Sequence, residues 1–349
     1  MIIFSYIYKK NSINQIMIYV ILAMFPGILI KSFYDNYSTL IQIILSIIAV
    51  TILEIIILKL KGKNIKDIFE DFSFIVTAIL IGVSIPSFSS WWINVIGIFF
   101  SIIFAKEVFG GFGKNIFNPA MVGYAVLLIS FPDFMSYVVI PYKYIAQYMH
   151  FSDTFKSILS NNSINYWKSF ENSINQIDFI TQPTPLDYLR SYKVENQSFF
   201  INFLREKNKY CFFNFLISRN INIAFFLGGL FLIYKKVISW RISFSFLVTF
   251  ILVSELGWMF LGDRSISPYI HLFSGSTMLG AFFIATDPVT TCCTNAGKII
   301  FGIIIGLLEW IIRTFGGYPD AMAFSILLAN MLVPLLEYYT QPVIYGNKK

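Results

Sequence analysis

The stretch TLIQIILSIIAVTILEIIILKL, residues 39–60, decides the fold class of this chain. It carries one acidic residue, Glu54, and no basic residue before Lys59. The hydrocarbon core of a bilayer is about 30 Å thick, and an α-helix needs about 20 apolar residues to cross it. Because lipid offers no partner to an exposed peptide group, such a stretch must hydrogen-bond within itself. The sequence therefore predicts a transmembrane helix here.

Nine further segments share this character, so the whole chain is predicted to be an all-α polytopic membrane protein with about ten transmembrane helices. Hydrophobic residues make up 56% of the 349 positions and charged residues 13%, a balance that excludes an ordinary water-soluble globule. The ten segments lie at 13–30, 39–60, 72–88, 91–109, 118–132, 221–237, 242–261, 269–286, 298–315 and 321–339.

The positions of the basic residues predict the orientation of the chain in the membrane. If the N-terminus is cytoplasmic, fourteen Lys and Arg residues fall on the cytoplasmic side. The short connections on the other side hold three, Lys31, Arg264 and Arg313. Short cytoplasmic loops are enriched in basic residues, whereas long loops cross regardless of charge. Both termini are therefore predicted to be cytoplasmic. The net charge of +7 then reflects topology and lipid contact, and no nucleic-acid partner is expected.

The segments divide the chain into three parts. A first membrane half, 1–132, and a second, 221–349, each contain five helices, and a long loop, 133–220, separates them on the outer side. The loop is polar but has aromatic residues at intervals, as in SNNSINYWKSFENSINQIDF. Aromatic residues at that frequency favour a small packed external subdomain over a disordered linker.

The two membrane halves contain similar sequences near their ends. FGGFGKNIFNPAMVGYAVLL occupies 109–128, and FGGYPDAMAFSILL occupies 315–328. A duplicated unit with an odd number of helices returns in the opposite orientation, so the similarity predicts two inverted five-helix repeats with helix breaks at a central site. The alternative is that glycine and small residues are simply common where membrane helices pack.

The segment DFITQPTPLDYLR, 178–190, is the most polar candidate for chemistry. Thr184 as N-cap, Pro185 at the first helical position and Asp187 at the third form an ordinary helix start. That interpretation needs no function, but it leaves Asp178 and Thr181 without a role.

Thr184 and its neighbours, with several longer blocks, resemble the RnfD (RsxD) family, whose members belong to the Rnf (Rsx) ion-translocating electron transport complexes. The flavin-attachment pattern of that family is similar to Asp178, Thr181 and Thr184, with Phe179 where a small residue is usual and Pro183 in place of alanine. The longer blocks that resemble the family, in family order, are SIPSFSSWW, GGFGKNIFNPAMVGYAVLLISFP, HLFSGSTMLGAFFIATDPVT, IIRTFGGYPDAMAFSILLAN and PLLEYYTQPVIYG.

The resemblance implies a covalent cofactor, FMN, esterified through its phosphate to Thr184 by an extracytoplasmic flavin transferase. Asp178, Thr181 and Asp187 would form the rest of that site. It further implies a bacterial inner-membrane location and partnership with the other members of the complex. Electrons would pass through the flavin, and their transfer would help to move a cation. A helix N-terminus is a favourable place for a phosphate, so the capping and flavin interpretations are compatible.

Two other functions remain open. The first is the homologous component of the related sodium-pumping NADH:quinone reductase, which usually has a longer N-terminal extension. The second, from a different class, is a secondary transporter that uses the inverted repeat without any redox group. A transporter needs no flavin, so the presence of a covalent flavin distinguishes the two classes.

Other polar residues within the apolar segments are weaker candidates. SGST, 274–277, resembles the flavin motif of a sister protein of the complex, but Thr277 is predicted to lie about two turns inside the eighth segment. Small residues there suit close helix packing or a noncovalent flavin pocket. Acidic residues at membrane depth are functional candidates by default. They are Glu54, Glu107, Glu255 and Glu309, with Asp287 and Asp320 near segment ends. Glu107 is expected to pair with Lys106, and no catalytic residue and no metal ligand is assigned.

Overall fold

The computed structural model describes residues 13–64, 72–136, 150–160, 186, 209–261, 266–318 and 320–341. Within these ranges the regular structure is helical, and no strand occurs. This confirms the predicted class of an all-α polytopic membrane protein.

The helices follow the apolar segments of the sequence, since each needs only its own residues to satisfy its peptide groups. In chain order they are α1 Ile13–Tyr34, α2 Ser38–Leu60, α3 Ser73–Ser84, α4 Trp91–Phe99, α5 Pro119–Ser130, α6 Pro132–Ser136, α7 Phe151–Leu159, α8 Lys209–Tyr234, α9 Trp240–Leu261, α10 Pro268–Phe273, α11 Thr277–Leu279, α12 Asn295–Phe315 and α13 Met322–Thr340. Two helices continue as π-helices, α4 into Phe100–Glu107 and α11 into Gly280–Ile284.

Among the described helices, six are long and apolar enough to cross a membrane, namely α1, α2, α8, α9, α12 and α13. The shorter apolar helices α3 and α5 occupy two further predicted segments. The sixth segment was predicted to start at 221, whereas α8 starts at Lys209, because polar residues such as Asn214 are accommodated inside the bundle. The eighth segment was predicted as one helix, but Ser274–Ser276 interrupt it.

The first helix of each half packs against the other, α1 on α8, and so does the fifth helix of each half, α5 on α13. Within the halves, α2 packs on α3 and α4, and α9 packs on α12. The core between them is dominated by aliphatic and aromatic side chains, such as Met24, Ile81 and Phe246, which are fully buried. The division into 1–132, 133–220 and 221–349 stays a prediction.

The α1–α8 seam depends on a glycine. A Cβ added to Gly228 would lie 2.0 Å from the carbonyl oxygen of Ala23, far inside van der Waals contact. Small residues let membrane helices approach closely, where dispersion contacts replace the missing hydrophobic drive. Gly228 therefore sets the distance between the two halves.

The connection between α3 and α4, residues 85–90, is irregular backbone held inside the bundle. Gln42 of α2 donates from Nε2 to the carbonyl oxygen of Ser89 at 2.7 Å. Asn94 of α4 donates to the main-chain carbonyl of Gln42 at 2.9 Å and to its Oε1 at 2.8 Å. Non-helical backbone at this depth is tolerated only where protein supplies its hydrogen bonds. The buried amides of α2 and α4 meet that condition.

Candidate cofactor cavity

A cavity of about 270 Å³ lies between the two membrane halves, at the end of the bundle from which the 137–208 segment leaves. Its walls come from the C-terminal turns of α1 and α3, the N-terminal half of α8, and the starts of α5 and α13. The break between α10 and α11 completes it. The repeat prediction placed helix breaks at a central site, and this break does line the cavity.

The lining combines apolar walls with a few polar groups, the usual composition of a small-molecule site. The apolar part includes Met121, Ile221 and Phe225. The polar part is Lys31, Asp35, Ser84, Ser87, Tyr124, Asn214, Ser218, Asn222, Ser274, Ser276 and Asp320. Asp320 and the SGST segment were singled out from the sequence, whereas the others were missed. Lys31 and Asn222, polar residues inside or at the end of apolar segments, were the available signal.

Residues 274–276 form a tight turn clamped from two sides. Gly275 has a φ of +65°, in the left-handed region that glycine adopts without a steric penalty. Asn222 of α8 donates from Nδ2 to the carbonyl oxygens of Phe273 at 3.2 Å and of Gly275 at 3.0 Å. Its Oδ1 accepts from the main-chain N–H of Met278 at 3.1 Å. One side chain thereby bridges the break between α10 and α11.

Asp320, between α12 and α13, holds the other side of the turn. Its Oδ2 accepts from the main-chain N–H of Ser276 at 2.9 Å and from the Ser276 hydroxyl. Its Oδ1 lies 3.0 Å from the guanidinium of Arg313. Burial alone would raise the pKa of Asp320, but Arg313 and the bonds from Ser276 hold that pKa below its ordinary value. The carboxylate is therefore charged and fully engaged.

Arg313 is the centre of this buried network. Its side chain is 0% exposed and lies 2.6 Å from Oε1 of Glu309, which is also 0% exposed. It donates to the carbonyl oxygen of His271 at 2.7 Å and to Oγ1 of Thr277 at 3.1 Å. The prediction that Arg313 lies in an external connection is wrong. It belongs to the last turns of α12, where two carboxylates compensate its charge.

Lys31 and Asp35 line the opposite wall of the cavity. The Lys31 ammonium donates to the carbonyl oxygen of Val83 at 2.5 Å, at the C-terminal end of α3. Asp35 is 2% exposed and accepts from Oγ1 of Thr39 at 3.0 Å and from the hydroxyl of Ser87. Lys31 was also predicted in an external connection, but it lies within α1.

The predicted flavin residues Thr184, Asp178, Thr181 and Asp187 lie outside the described residues, so their roles stay predictions. Leu186, between Thr184 and the end of the motif, is described. It is helical, 2% exposed, and it lines the cavity.

The buried acidic residues form different pairs from the one predicted. Glu107 was expected to pair with Lys106, but Lys106 Nζ lies 2.7 Å from Oε1 of Glu54, and Glu107 pairs with Lys61. Glu54 of α2 approaches Lys106 because α2 packs beside α4 and its π-helical continuation. Glu255 is half-buried on α9.

These features define a class: a multi-pass helical membrane protein with buried polar turns around a ligand-sized cavity between its halves. The match of residues 3–346 to a family model then shows that the chain belongs to the NQR2, RnfD, RnfE family.

Similar proteins cover almost the whole chain, and those compared here are all named as the D component of an ion-translocating oxidoreductase complex. The chain is 47% identical over 345 residues to this protein from Buchnera aphidicola subsp. Acyrthosiphon pisum (strain 5A), and the match covers 99% of each chain. It is 42% identical over 348 residues to the protein of the same name from Escherichia fergusonii, covering 99% of this chain and 97% of the relative. The protein of that name from Salmonella paratyphi B is 41% identical with the same coverage.

Proposed function

We propose that this chain is the RnfD component of an Rnf-type complex of the bacterial inner membrane. It passes electrons through an FMN joined to Thr184 and helps to couple that transfer to the movement of a cation. Its partners are the other members of the complex, the flavin transferase and membrane lipid. The names of the relatives support the complex, and the cavity beside Leu186 supports the cofactor.

The position of Leu186 is the observation that carries the proposal. Leu186 lines the cavity, and Thr184 precedes it by two residues. Consecutive Cα atoms are 3.8 Å apart, so the Cα of residue 184 is within about 8 Å of that of Leu186 by covalent geometry alone. A group attached to Thr184 therefore begins close to the cavity mouth.

The residues of the cavity suit an isoalloxazine ring, which has wide apolar faces and a polar edge. Met121, Ile221 and Phe225 supply apolar surface. Asn214 is 8% exposed, and its Oδ1 is buried without a hydrogen-bond partner. A buried polar atom left unpaired costs about 1–3 kcal/mol, which a ligand bearing both donors and acceptors would recover. The redox chemistry is that of the flavin, while the protein supplies position and electrostatics.

The attachment reaction fits the topology proposed for the chain. The hydroxyl oxygen of Thr184 forms a bond to the FMN phosphorus, the diphosphate bond of FAD breaks, and AMP leaves with the hydroxyl proton. An extracytoplasmic transferase requires Thr184 on the outer side. Placing both termini in the cytoplasm puts the 133–220 loop on that side.

The test is in-gel fluorescence of the denatured full-length chain, produced together with the flavin transferase. The wild-type band should fluoresce, and the tryptic fragment 169–190 should carry the mass of FMN less one water. Thr184→Ala should abolish both signals. The matched control is Thr277→Val, because Thr277 is buried among His271, Ser274 and Arg313 and should not be needed for attachment.

A dark wild-type band would refute the flavin and leave the non-redox transporter as the better interpretation. Fluorescence that survives Thr184→Ala but not Thr277→Val would refute the assigned position. Between the two redox candidates, the relatives that match at 41–47% identity over 99% of the chain carry the name of the ion-translocating oxidoreductase complex, which favours the Rnf-type complex over the sodium pump.

A further inference from the structure

We propose that Lys31 supplies the positive charge that stabilises the reduced, anionic form of a flavin held in the cavity. This role rests on the function proposed above and belongs to a residue outside the flavin-attachment segment. It concerns the redox potential of the cofactor, not its attachment.

Lys31 is held in a fixed position on the cavity wall. Its ammonium donates to the carbonyl oxygen of Val83, two residues from the cavity-lining Ile85. The last four carbonyl groups of a helix lack helical partners and carry the negative end of the helix dipole, so the end of α3 attracts a cation. An ammonium has three donors, and Val83 takes one of them.

The other charges around the cavity are already compensated. Asp320 lies 3.0 Å from Arg313 and accepts two hydrogen bonds from Ser276. Asp35 accepts from Thr39 and Ser87. Lys31 is the one basic side chain in the described lining, and within the described ranges it forms no ion pair.

Reduction gives that uncompensated charge a partner. When a redox partner in the complex supplies two electrons and water supplies one proton, the flavin ring gains one net negative charge. Opposite charges attract more strongly in a protein interior than in water, since the effective dielectric constant is lower. The oxidised ring is neutral and gains little from the ammonium. Lys31 therefore favours the reduced state, which raises the midpoint potential.

The experiment is a redox titration of the flavin absorbance in the full-length chain, purified with its covalent flavin. Lys31→Met should lower the equilibrium constant for reduction at least tenfold, which is a fall of about 30 mV for a two-electron couple. Lys31→Arg should restore most of the wild-type potential. Lys61→Met removes a lysine that pairs with Glu107 at the opposite end of the bundle, and it should leave the potential unchanged.

A second variant tests the sign of the effect. Asp35→Asn removes a negative charge from the same cavity at nearly constant shape and should raise the potential. Structural damage has no reason to act in opposite directions at Lys31 and Asp35. If Lys31→Met does not yield folded protein, an unchanged or lower potential for Asp35→Asn overturns the inference.

In-gel fluorescence separates this inference from the proposed function. A fluorescent Lys31→Met protein with wild-type potential overturns the role of Lys31 and leaves the covalent flavin intact. A wild-type chain that never fluoresces overturns both.

Discussion

Removing the charge of Arg313 tests the buried network that supports the cavity. In Arg313→Met, the Glu309 carboxylate remains 0% exposed and Asp320 loses its cation. Breaking a buried ion pair by removing one partner costs about 3–5 kcal/mol, because a charge is left uncompensated. We expect that variant to be destabilised by this amount.

The expected shift in melting temperature follows from the size of the chain. An unfolding entropy of about 2.1 cal/mol/K per residue, over 349 residues, makes each kcal/mol worth roughly 1.4 °C. Arg313→Met should therefore lower the melting temperature in detergent by about 4–7 °C, measured by size-exclusion chromatography of heated samples. The exposed pair of Lys61 and Glu107 provides the control. Lys61 is 41% exposed, so Lys61→Met should cost at most about 1 kcal/mol.

A partial rescue is also expected. Adding Glu309→Gln to Arg313→Met removes the uncompensated charge and should recover part of the lost stability. Two results would refute this account of the network: a loss for Arg313→Met no larger than that of Lys61→Met, or a double variant no more stable than the single one.

The remaining predictions concern topology, thiol chemistry and helix packing. In a Cys211→Ser variant, exposed Cys293 should react with a membrane-impermeant maleimide in inverted vesicles and not in intact cells, and the reverse pattern would contradict cytoplasmic termini. The hydrogen bond with Glu337 raises the pKa of the Cys293 thiol, so less thiolate is present at pH 8. Labelling should therefore quicken above about pH 9, and Glu337→Gln should quicken it at about pH 8; equal rates would exclude that hydrogen bond. Gly228→Leu should destabilise the α1–α8 seam by about 1–3 kcal/mol or more, because its Cβ would meet the carbonyl of Ala23. A wild-type melting temperature for this variant would show that the seam is looser than the structure indicates.

The helix predictions succeeded where the cause is local. Nine of the ten predicted segments, all within the described ranges, are each dominated by one run of helix, because an apolar stretch of bilayer length must bond its own peptide groups whatever its neighbours do. The exception is the segment 269–286, in which the turn at 274–276 is held by Asn222 and Asp320. Neither contact is visible in the sequence of that segment.

The amino-acid sequence by itself determined the membrane class, the approximate positions of the helices and the family. Each follows from the composition of continuous stretches. Only the tertiary structure decided which polar side chains meet. It pairs Lys106 with Glu54 across 52 positions instead of with its neighbour Glu107, and it buries Arg313, which the sequence placed in an exposed connection. Such pairs form because helices distant in sequence pack at fixed depth and rotation, and a buried charge takes the partner that packing brings within reach.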